Sequence, residues 1–194
     1  MAVTLNASTS TGYIQTADTS GDLALQSNGT TQFTGASTGA YGQLKSGTAV
    51  ASTSGTSIDF TSIPSWVKRV TVMFSGVSTN GTSNLLIQIG AGSVTTSGYS
   101  SGAWTANTNT SSSTAGFLLT AAFAAAGTLN GNIQICLQTG NTWVESHSLG
   151  SPGTYNSIGG GFIALSGALD RVRITTVNGT DTFDAGTINI LYEG

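Results

Sequence analysis

The chain has 194 residues, of which 38% are hydrophobic and only 7% are charged. Globular domains usually carry about 25% charged residues, so hydroxyl, amide and backbone groups must provide most of the polar surface here. Five Lys and Arg against eight Asp and Glu give a net charge of -3. This balance excludes the strongly basic surface that attracts nucleic acids and acidic membranes.

Targeting and redox signals are sparse. No apolar stretch approaches the roughly 20 residues that cross a bilayer, and the longest, Phe117 to Ala126, is interrupted by Thr120. The opening MAVTLNASTSTG lacks the basic and apolar regions of a secretory signal, so we expect synthesis in a cytoplasm. The single cysteine, Cys136, predicts no intrachain disulfide and no cysteine-based metal cluster, and we expect an inert buried thiol.

Residues 1–43 differ in composition from the rest of the chain. Their apolar residues are scattered among Ser, Thr, Gly and Asn, and cannot offset an ordering entropy of roughly 1–2 kcal/mol per residue. Asp22 to Ser27 nevertheless alternates in polarity, and the following Asn28-Gly29 is a strong hairpin turn signal. We therefore expect an extended arm with one short hairpin, ordered by packing against copies of itself or against a neighbouring protein.

Residues 44–194 contain recurring short runs in which apolar and polar residues alternate, which is typical of half-buried strands. The run from Lys68 to Phe74 and the run from Leu85 to Ile89 flank a turn-rich segment and are predicted to form a hairpin. Residues 115–126 fit a buried helical turn or a strand. Further strands are predicted at Ile133 to Leu137, Val172 to Thr176 and Ile188 to Tyr192. The pattern predicts an all-β module, an antiparallel β-sandwich or jelly roll.

The only histidine is the first candidate for catalysis. His147 adjoins Ser146 and Ser148, and Glu145 could orient its ring. However, neighbours in a strand point to opposite faces, so a proton relay between them is poorly placed. The chain also lacks a G-x-S-x-G elbow. We predict no catalytic residue and no enzymatic activity, with His147 as a polar surface or interface residue.

Carboxylates are the candidates for metal binding. Asp181 and Asp184, with Asn178, could offer oxygen ligands to calcium, but the spacing lacks the alternating carboxylates of a dedicated loop. Asp and Asn in turns usually bond their own backbone, and this interpretation is also favoured for Asp18 and Asp22. So few acids also disfavour a paired-carboxylate glycosidase. We predict no metal and no cofactor.

Four aromatic residues lie among small polar residues outside the alternating runs. Tyr99 and Trp104 lie in SGYSSGAW, while Trp143 and Tyr155 flank other predicted loops. Exposed rings of this kind stack on sugar faces while Asn, Ser and Thr donate and accept hydrogen bonds. These four residues are therefore the predicted glycan or host contacts. The alternative for each ring is that it fills its own loop or a subunit interface.

Two long segments carry a resemblance to a known family. RVTVMFSGVSTNGTSNLLIQIGAGSVTTSGYSSGAW begins at Arg69, and LDRVRITTVNGTDTFDAGTINILYE ends at Glu193. Both resemble the C-terminal module of tailed-bacteriophage tail-fibre and appendage proteins, over about residues 44–194, and DTFDAGTINILYE is the most specific part. The arm, with TADTSGDLALQSNGTTQFT, is similar to the short threonine-rich repeats that precede such modules.

The resemblance implies a virion structural protein, assembled in the host cytoplasm. It implies a homotrimer whose arm, residues 1–43, contacts other virion proteins while the β-module, residues 44–194, faces outward and can meet a host glycan. The chain is shorter than long fibres, which leaves a short spike, an adaptor or a capsid decoration as alternatives. A free carbohydrate-binding module is the alternative from another class of protein.

Overall fold

The computed structural model describes the strands at residues 23–27 and 30–35, and residues 44–106, 110–153 and 155–194. The chain divides into two compact units, residues 1–41 and residues 42–194. All regular elements of the described residues are strands, and none of these residues belongs to a helix long and apolar enough to cross a membrane.

The first unit contains a hairpin. Strand β1 (Leu23–Ser27) pairs antiparallel with β2 (Thr30–Gly35), and the register shifts between Leu25 and Gln26. The hairpin predicted from the Asn28-Gly29 turn signal is therefore confirmed. Asp18, Asp22 and the turn residues Asn28 and Gly29 lie outside the described residues.

The second unit is built from strands in two sheets. In chain order they are β3 (Leu44–Ser46), β4 (Val50–Ala51), β5 (Ser57–Thr61), β6 (Arg69–Thr79), β7 (Leu85–Ala91), β8 (Ser93–Val94), β9 (Ser100–Thr105), β10 (Thr110–Ser113), β11 (Phe117–Leu118), β12 (Leu129–Thr139), β13 (Thr142–Ser151), β14 (Tyr155–Ala164), β15 (Arg171–Thr176) and β16 (Phe183–Glu193). The large sheet has nine strands in the order β10-β9-β14-β13-β12-β6-β16-β3, with β4 also paired to β16. The small sheet has five strands in the order β11-β7-β15-β5, with β8 also paired to β7.

The core lies between the two sheets. The large sheet contributes Val70 and Val72 from β6, Ile133 and Ile135 from β12, and Ile188 and Ile190 from β16. The small sheet contributes Ile87 and Ile89 from β7 and Val172 and Ile174 from β15. All ten side chains are fully buried, which confirms the alternation predicted for β6, β12, β15 and β16, whereas β7 is buried on both faces. The fold is an antiparallel β-sandwich.

The finer expectations about connectivity have different outcomes. The sheets contain nine and five strands, and the jelly-roll arrangement of eight strands in two Greek keys stays a prediction. The predicted hairpin between Lys68–Phe74 and Leu85–Ile89 is wrong, because β6 lies in the large sheet and β7 in the small one. The segment between them crosses from sheet to sheet, where the Asn80 N–H donates to the Thr182 carbonyl at 2.9 Å.

The ambiguous segment at residues 115–126 is resolved as strand and loop. Phe117 and Leu118 form β11 beside β7, and no helix follows. Leu119, Thr120 and Phe123 are buried in the irregular segment after this strand. The apolar run therefore covers one end of the sandwich with short extended pieces and turns.

Candidate functional site: the outer face of the large sheet

The structure separates the four predicted aromatic contacts into buried and exposed rings. Tyr99 and Trp143 are each only 2% exposed and belong to the core, so the expectation that they are exposed loop rings is wrong. Tyr155, at the start of β14, is half-buried with its ring 6.4 Å from that of Phe123. Trp104 alone of the four is exposed, at 44%, and it lies in strand β9 rather than in a loop.

Tyr99 closes the core through its hydroxyl group. The oxygen accepts a hydrogen bond from the Ile89 N–H at 2.8 Å and lies within bonding distance of the Ile89 and Thr95 carbonyls. Its ring meets Phe117 edge-on at 5.0 Å. Burial raises the pKa of Tyr99 to about 12, since the phenolate would be poorly solvated there. The residue is a structural anchor of its own loop, the alternative weighed in the sequence.

The exposed Trp104 belongs to an ordered array on the outer face of the large sheet. Strand register aligns three rows of side chains across β10, β9, β14, β13 and β12. The first row is Thr110, Trp104, Ile158, Ser148 and Asn132. The second row is Ser112, Gly102, Gly160, Ser146 and Gln134. The third row, which begins at β9, is Ser100, Phe162, Val144 and Cys136. We call these three rows the outer-face platform.

The middle row of the platform forms a shallow trough. Gly102 and Gly160 pair directly and present bare backbone between the Trp104 row and the Phe162 row. Trp104 and Phe162 stand on opposite sides of this floor, because their rows lie four residues apart along a strand, or about 13 Å. The surface beside Trp104 forms an open depression of about 430 Å³. A second depression, of about 410 Å³, lies beside Gln134.

The platform is polar without being charged. Asn132, Gln134, Ser146 and Ser148 are exposed, and their side chains make no hydrogen bond to any residue in the described part of the chain. The outer-face positions from β10 to β12 include no Asp, Glu, Lys or Arg. The nearest charges of the same face, on β6 and β16, are Arg69 and Glu193, which pair with each other. The platform therefore offers unused hydrogen-bonding groups beside three exposed apolar side chains.

Elsewhere in the described segments exposed large apolar side chains are few, which makes the platform distinctive. Trp104, Ile158 and Phe162 are 44%, 50% and 50% exposed, and Ile158 lies directly opposite Trp104 in the ladder. The sequence analysis named only Trp104 of these three. Ile158 and Phe162 flank the three glycines of IGGGF, but the face on which they lie depends on the pairing of β14 with its neighbours.

The inner side of strand β13 holds the histidine. His147 and Glu145 are buried, and the imidazole Nδ1 lies 2.6 Å from the Glu145 carboxylate. The expected surface or interface position of His147 is therefore wrong. The strand alternates with period two, so Trp143, Glu145, His147 and Leu149 all face the core. Ser146 and Ser148 face outward, so the imidazole reaches neither hydroxyl.

Glycine makes room for the buried imidazole. Gly159 of β14 pairs with His147, and a Cβ atom at Gly159 would overlap the imidazole ring. The Glu145 Oε2 and His147 Nε2 atoms have no hydrogen-bond partner among the described residues. The pair is buried on the inner side of β13, on the opposite face from the platform, so it belongs to the interior of the sandwich.

The candidate calcium loop is a hydrogen-bonded turn. The Asp181 carboxylate accepts hydrogen bonds from Asn178 Nδ2 at 2.6 Å and from the Ser83 N–H at 2.9 Å. The Asn178 side-chain oxygen accepts from the Thr180 N–H at 3.0 Å. The bond from Asn178 lowers the pKa of Asp181. No three His, Cys, Asp or Glu side chains of the described segments lie close enough together to hold a metal ion.

Cys136 lies on the platform rather than in the core. It is partly exposed in the third row, next to Arg69 in the ladder between β12 and β6. The expected burial of this thiol is therefore wrong. Its strand neighbours Ile135 and Ile133 take the inner positions, which assigns Cys136 to the outer face.

No family model matches the chain, and neither a curated protein nor a solved structure matches it.

Proposed function

We propose that this chain is a structural component of a bacteriophage virion, a short tail fibre, spike or appendage. The observation that carries the proposal is the likeness of two segments to phage appendage modules, one from Arg69 to Trp104 and one from Leu169 to Glu193. In this chain the second segment supplies β15 and β16, which lie inside the small and the large sheet respectively. The likeness therefore involves the framework of the sandwich and not a peripheral loop.

Surface chemistry is consistent with this role. Only 7% of the residues are charged, so the solubility and contacts of the protein depend little on screened ion pairs. A particle component must keep its contacts in water of varied ionic strength. The arginine–carboxylate pairs of the described residues lie at the surface, as in Arg173 with Asp59 at 2.7 Å, where such pairs contribute little to stability.

The proposed assembly is a homotrimer with the first unit directed towards the particle. The sparse apolar content of residues 1–43 calls for partners, and closed rotational oligomers cover hydroxyl-rich surfaces and strand edges. The mass of the full chain in solution tests this directly by analytical ultracentrifugation. A species of three times 19.5 kDa is expected, and a stable monomer would contradict the trimer.

Mass spectrometry of purified particles tests the virion assignment. Particles from the source culture should contain this chain in a fixed ratio to the other virion proteins after density-gradient purification. Antibody labelling of the same particles distinguishes an appendage at the tail from a capsid decoration. Absence of the chain from purified particles, with the chain free in the lysate, would contradict the proposal and favour a free carbohydrate-binding module.

A further inference from the structure

We infer that the outer-face platform binds a neutral oligosaccharide, laid along the trough between Trp104 and Phe162 towards Gln134. The inference deepens the proposed function by naming what the outward module contacts, and it rests on that function only for the biological source of the sugar. The argument uses four properties of the face: its exposed rings, its glycine floor, its unused polar groups and its lack of charge.

The exposed rings provide stacking surfaces. Trp104 is 44% exposed and Phe162 is 50% exposed. Both lie in regular strands, and both occupy outward positions, whereas an inward position in the same strands would bury the ring. Aromatic rings combine a large apolar face with a well-defined orientation, and the apolar face of a sugar ring packs on them. Their rows lie about 13 Å apart on either side of the trough, so a ligand that lies in the trough has an aromatic ring on each side.

The glycine floor gives a flat ligand access to both rings. Gly102 and Gly160 face each other across β9 and β14, so on these two strands no side chain rises between the Trp104 row and the Phe162 row. A Cβ atom at Gly102 would lie 3.4 Å from the nearest atom, the Ser111 carbonyl oxygen, so this position has room for a side chain. Close packing therefore does not require a glycine at position 102.

The polar groups match the hydroxyl groups of a sugar. Asn132 and Gln134 each offer an amide donor and acceptor, and Ser146 and Ser148 each offer a hydroxyl. Since these side chains bond to no other described residue, they are available to a ligand. They continue the first two rows beyond the rings, from β14 through β13 to β12.

The charge pattern selects a neutral ligand. No ionised side chain occupies the platform, and the neighbouring Arg69 and Glu193 neutralise each other. An anionic polysaccharide or an acidic peptide would find no cation to replace its lost hydration. A second copy of this chain is also a poor fit, since the three apolar side chains are interrupted by glycines and bordered by polar groups, whereas the core of a stable interface is largely apolar.

The test uses the full chain and defined sugars. Isothermal titration against cellohexaose, maltohexaose, mannohexaose and chitohexaose is compared with titration against hyaluronan and polysialic acid. We expect at least one neutral hexasaccharide to bind and both anionic polymers to fail. Trp104→Ala should weaken that binding at least tenfold, and Gly102→Leu should do the same by filling the trough while keeping the ring.

A matched control separates binding from folding. Val177→Ala removes another exposed apolar side chain, 54% exposed, outside the platform, and should leave affinity within about twofold. All variants should melt within a few degrees of the parent. The inference is overturned if no neutral hexasaccharide binds, if only the anionic polymers bind, or if Trp104→Ala and Gly102→Leu bind like the parent. It is also overturned if Trp104→Ala dissociates an oligomer, which would make the platform a subunit interface.

The outcome is separable from that of the proposed function. Particle mass spectrometry reports whether the chain belongs to a virion whether or not it binds sugar. If the chain binds sugar but is absent from particles, the sugar site on the platform is supported and the virion role is contradicted. If the chain is present in particles but binds no sugar, the virion role is supported and the sugar site is contradicted.

Discussion

The Nδ1 atom of His147 lies 2.6 Å from the Oε1 atom of Glu145, and neither side chain exposes any surface to solvent. This distance is that of a hydrogen bond between the two side chains. Two polar side chains in the interior of a sandwich are stabilising only while they satisfy each other. Removal of one member leaves the other buried without its partner.

Glu145→Ala should therefore lower the free energy of unfolding by about 3–5 kcal/mol. His147→Ala should have an effect of the same order, and the double variant should cost less than the sum of the two. Chemical denaturation of the three variants gives the coupling energy directly. Ser146→Ala, on the outer side of the same strand, is the matched control and should stay within about 0.5 kcal/mol. Strictly additive effects would show that the two side chains do not support each other.

Gly159→Ala should destabilise the sandwich by about 1–3 kcal/mol, because the added methyl group has no space. A Cβ atom there would overlap the His147 ring and approach the Gly102 carbonyl oxygen at 2.5 Å. Gly102→Ala, where the nearest atom is 3.4 Å away, is the control and should be tolerated. Thermal melting of both variants measures the difference. Equal melting temperatures would mean that the imidazole moves aside at no cost.

Asp181→Asn should reduce stability at neutral pH and lose its effect in acid. Hydrogen bonds from Asn178 and Ser83 hold the folded pKa of Asp181 below its ordinary value of 3.8. A lowered folded pKa means that the stabilisation is present above the unfolded value and disappears as the pH falls through the folded value. The melting temperatures of parent and variant should therefore converge below about pH 4.

The control for this acid profile is Asp184→Asn. Asp184 is exposed, and its side chain makes no hydrogen bond to the rest of the described chain. This variant should follow the parent over the same pH range. A difference between Asp181→Asn and the parent that persists unchanged in strong acid would show that geometry, and not ionisation, is responsible.

Tyr99→Phe should destabilise the protein by about 1–3 kcal/mol, since the buried Ile89 N–H loses its partner. The pKa of Tyr99 is about 12 in the folded state, against an ordinary value of 10.0. The raised value favours the folded state fully below about pH 10, and this contribution is lost as the pH rises through about 12. Tyrosinate absorbance during alkaline titration should show one late-titrating group fewer in the variant. If the phenol that is missing from the variant ionises near pH 10 in the folded parent, the burial of Tyr99 is contradicted.

The alternating strands could be predicted because their signal is local. Val70 and Val72, like Ile188 and Ile190, lie two residues apart, and a period of two places both members of each pair on one face of any strand. Asn28-Gly29 likewise favours a hairpin turn through its own backbone preferences, and β1 and β2 flank it. Low charge, read from composition alone, predicted a polar but uncharged surface.

The tertiary structure decided which strands share a sheet and which rings reach solvent. β6 and β7 are neighbours in sequence but belong to different sheets, because their partners β16 and β15 lie about a hundred residues further along the chain. Tyr99 lies among serines and glycines yet is buried against Phe117, while Trp104, five residues later, is exposed. The sequence by itself determined the strands that alternate clearly with period two, such as β6, β12 and β16, and the inward or outward alternation within them. Strands β9, β13 and β14 contain Trp104, Trp143 and Tyr155, which the sequence places outside the alternating runs, so these strands were decided by the tertiary structure. Only long-range pairing, through the register of β9, β14, β13 and β12, decided that Trp104, Gly160 and Gln134 lie on one surface, because hydrogen-bonded register is a property of two strands and not of either one alone.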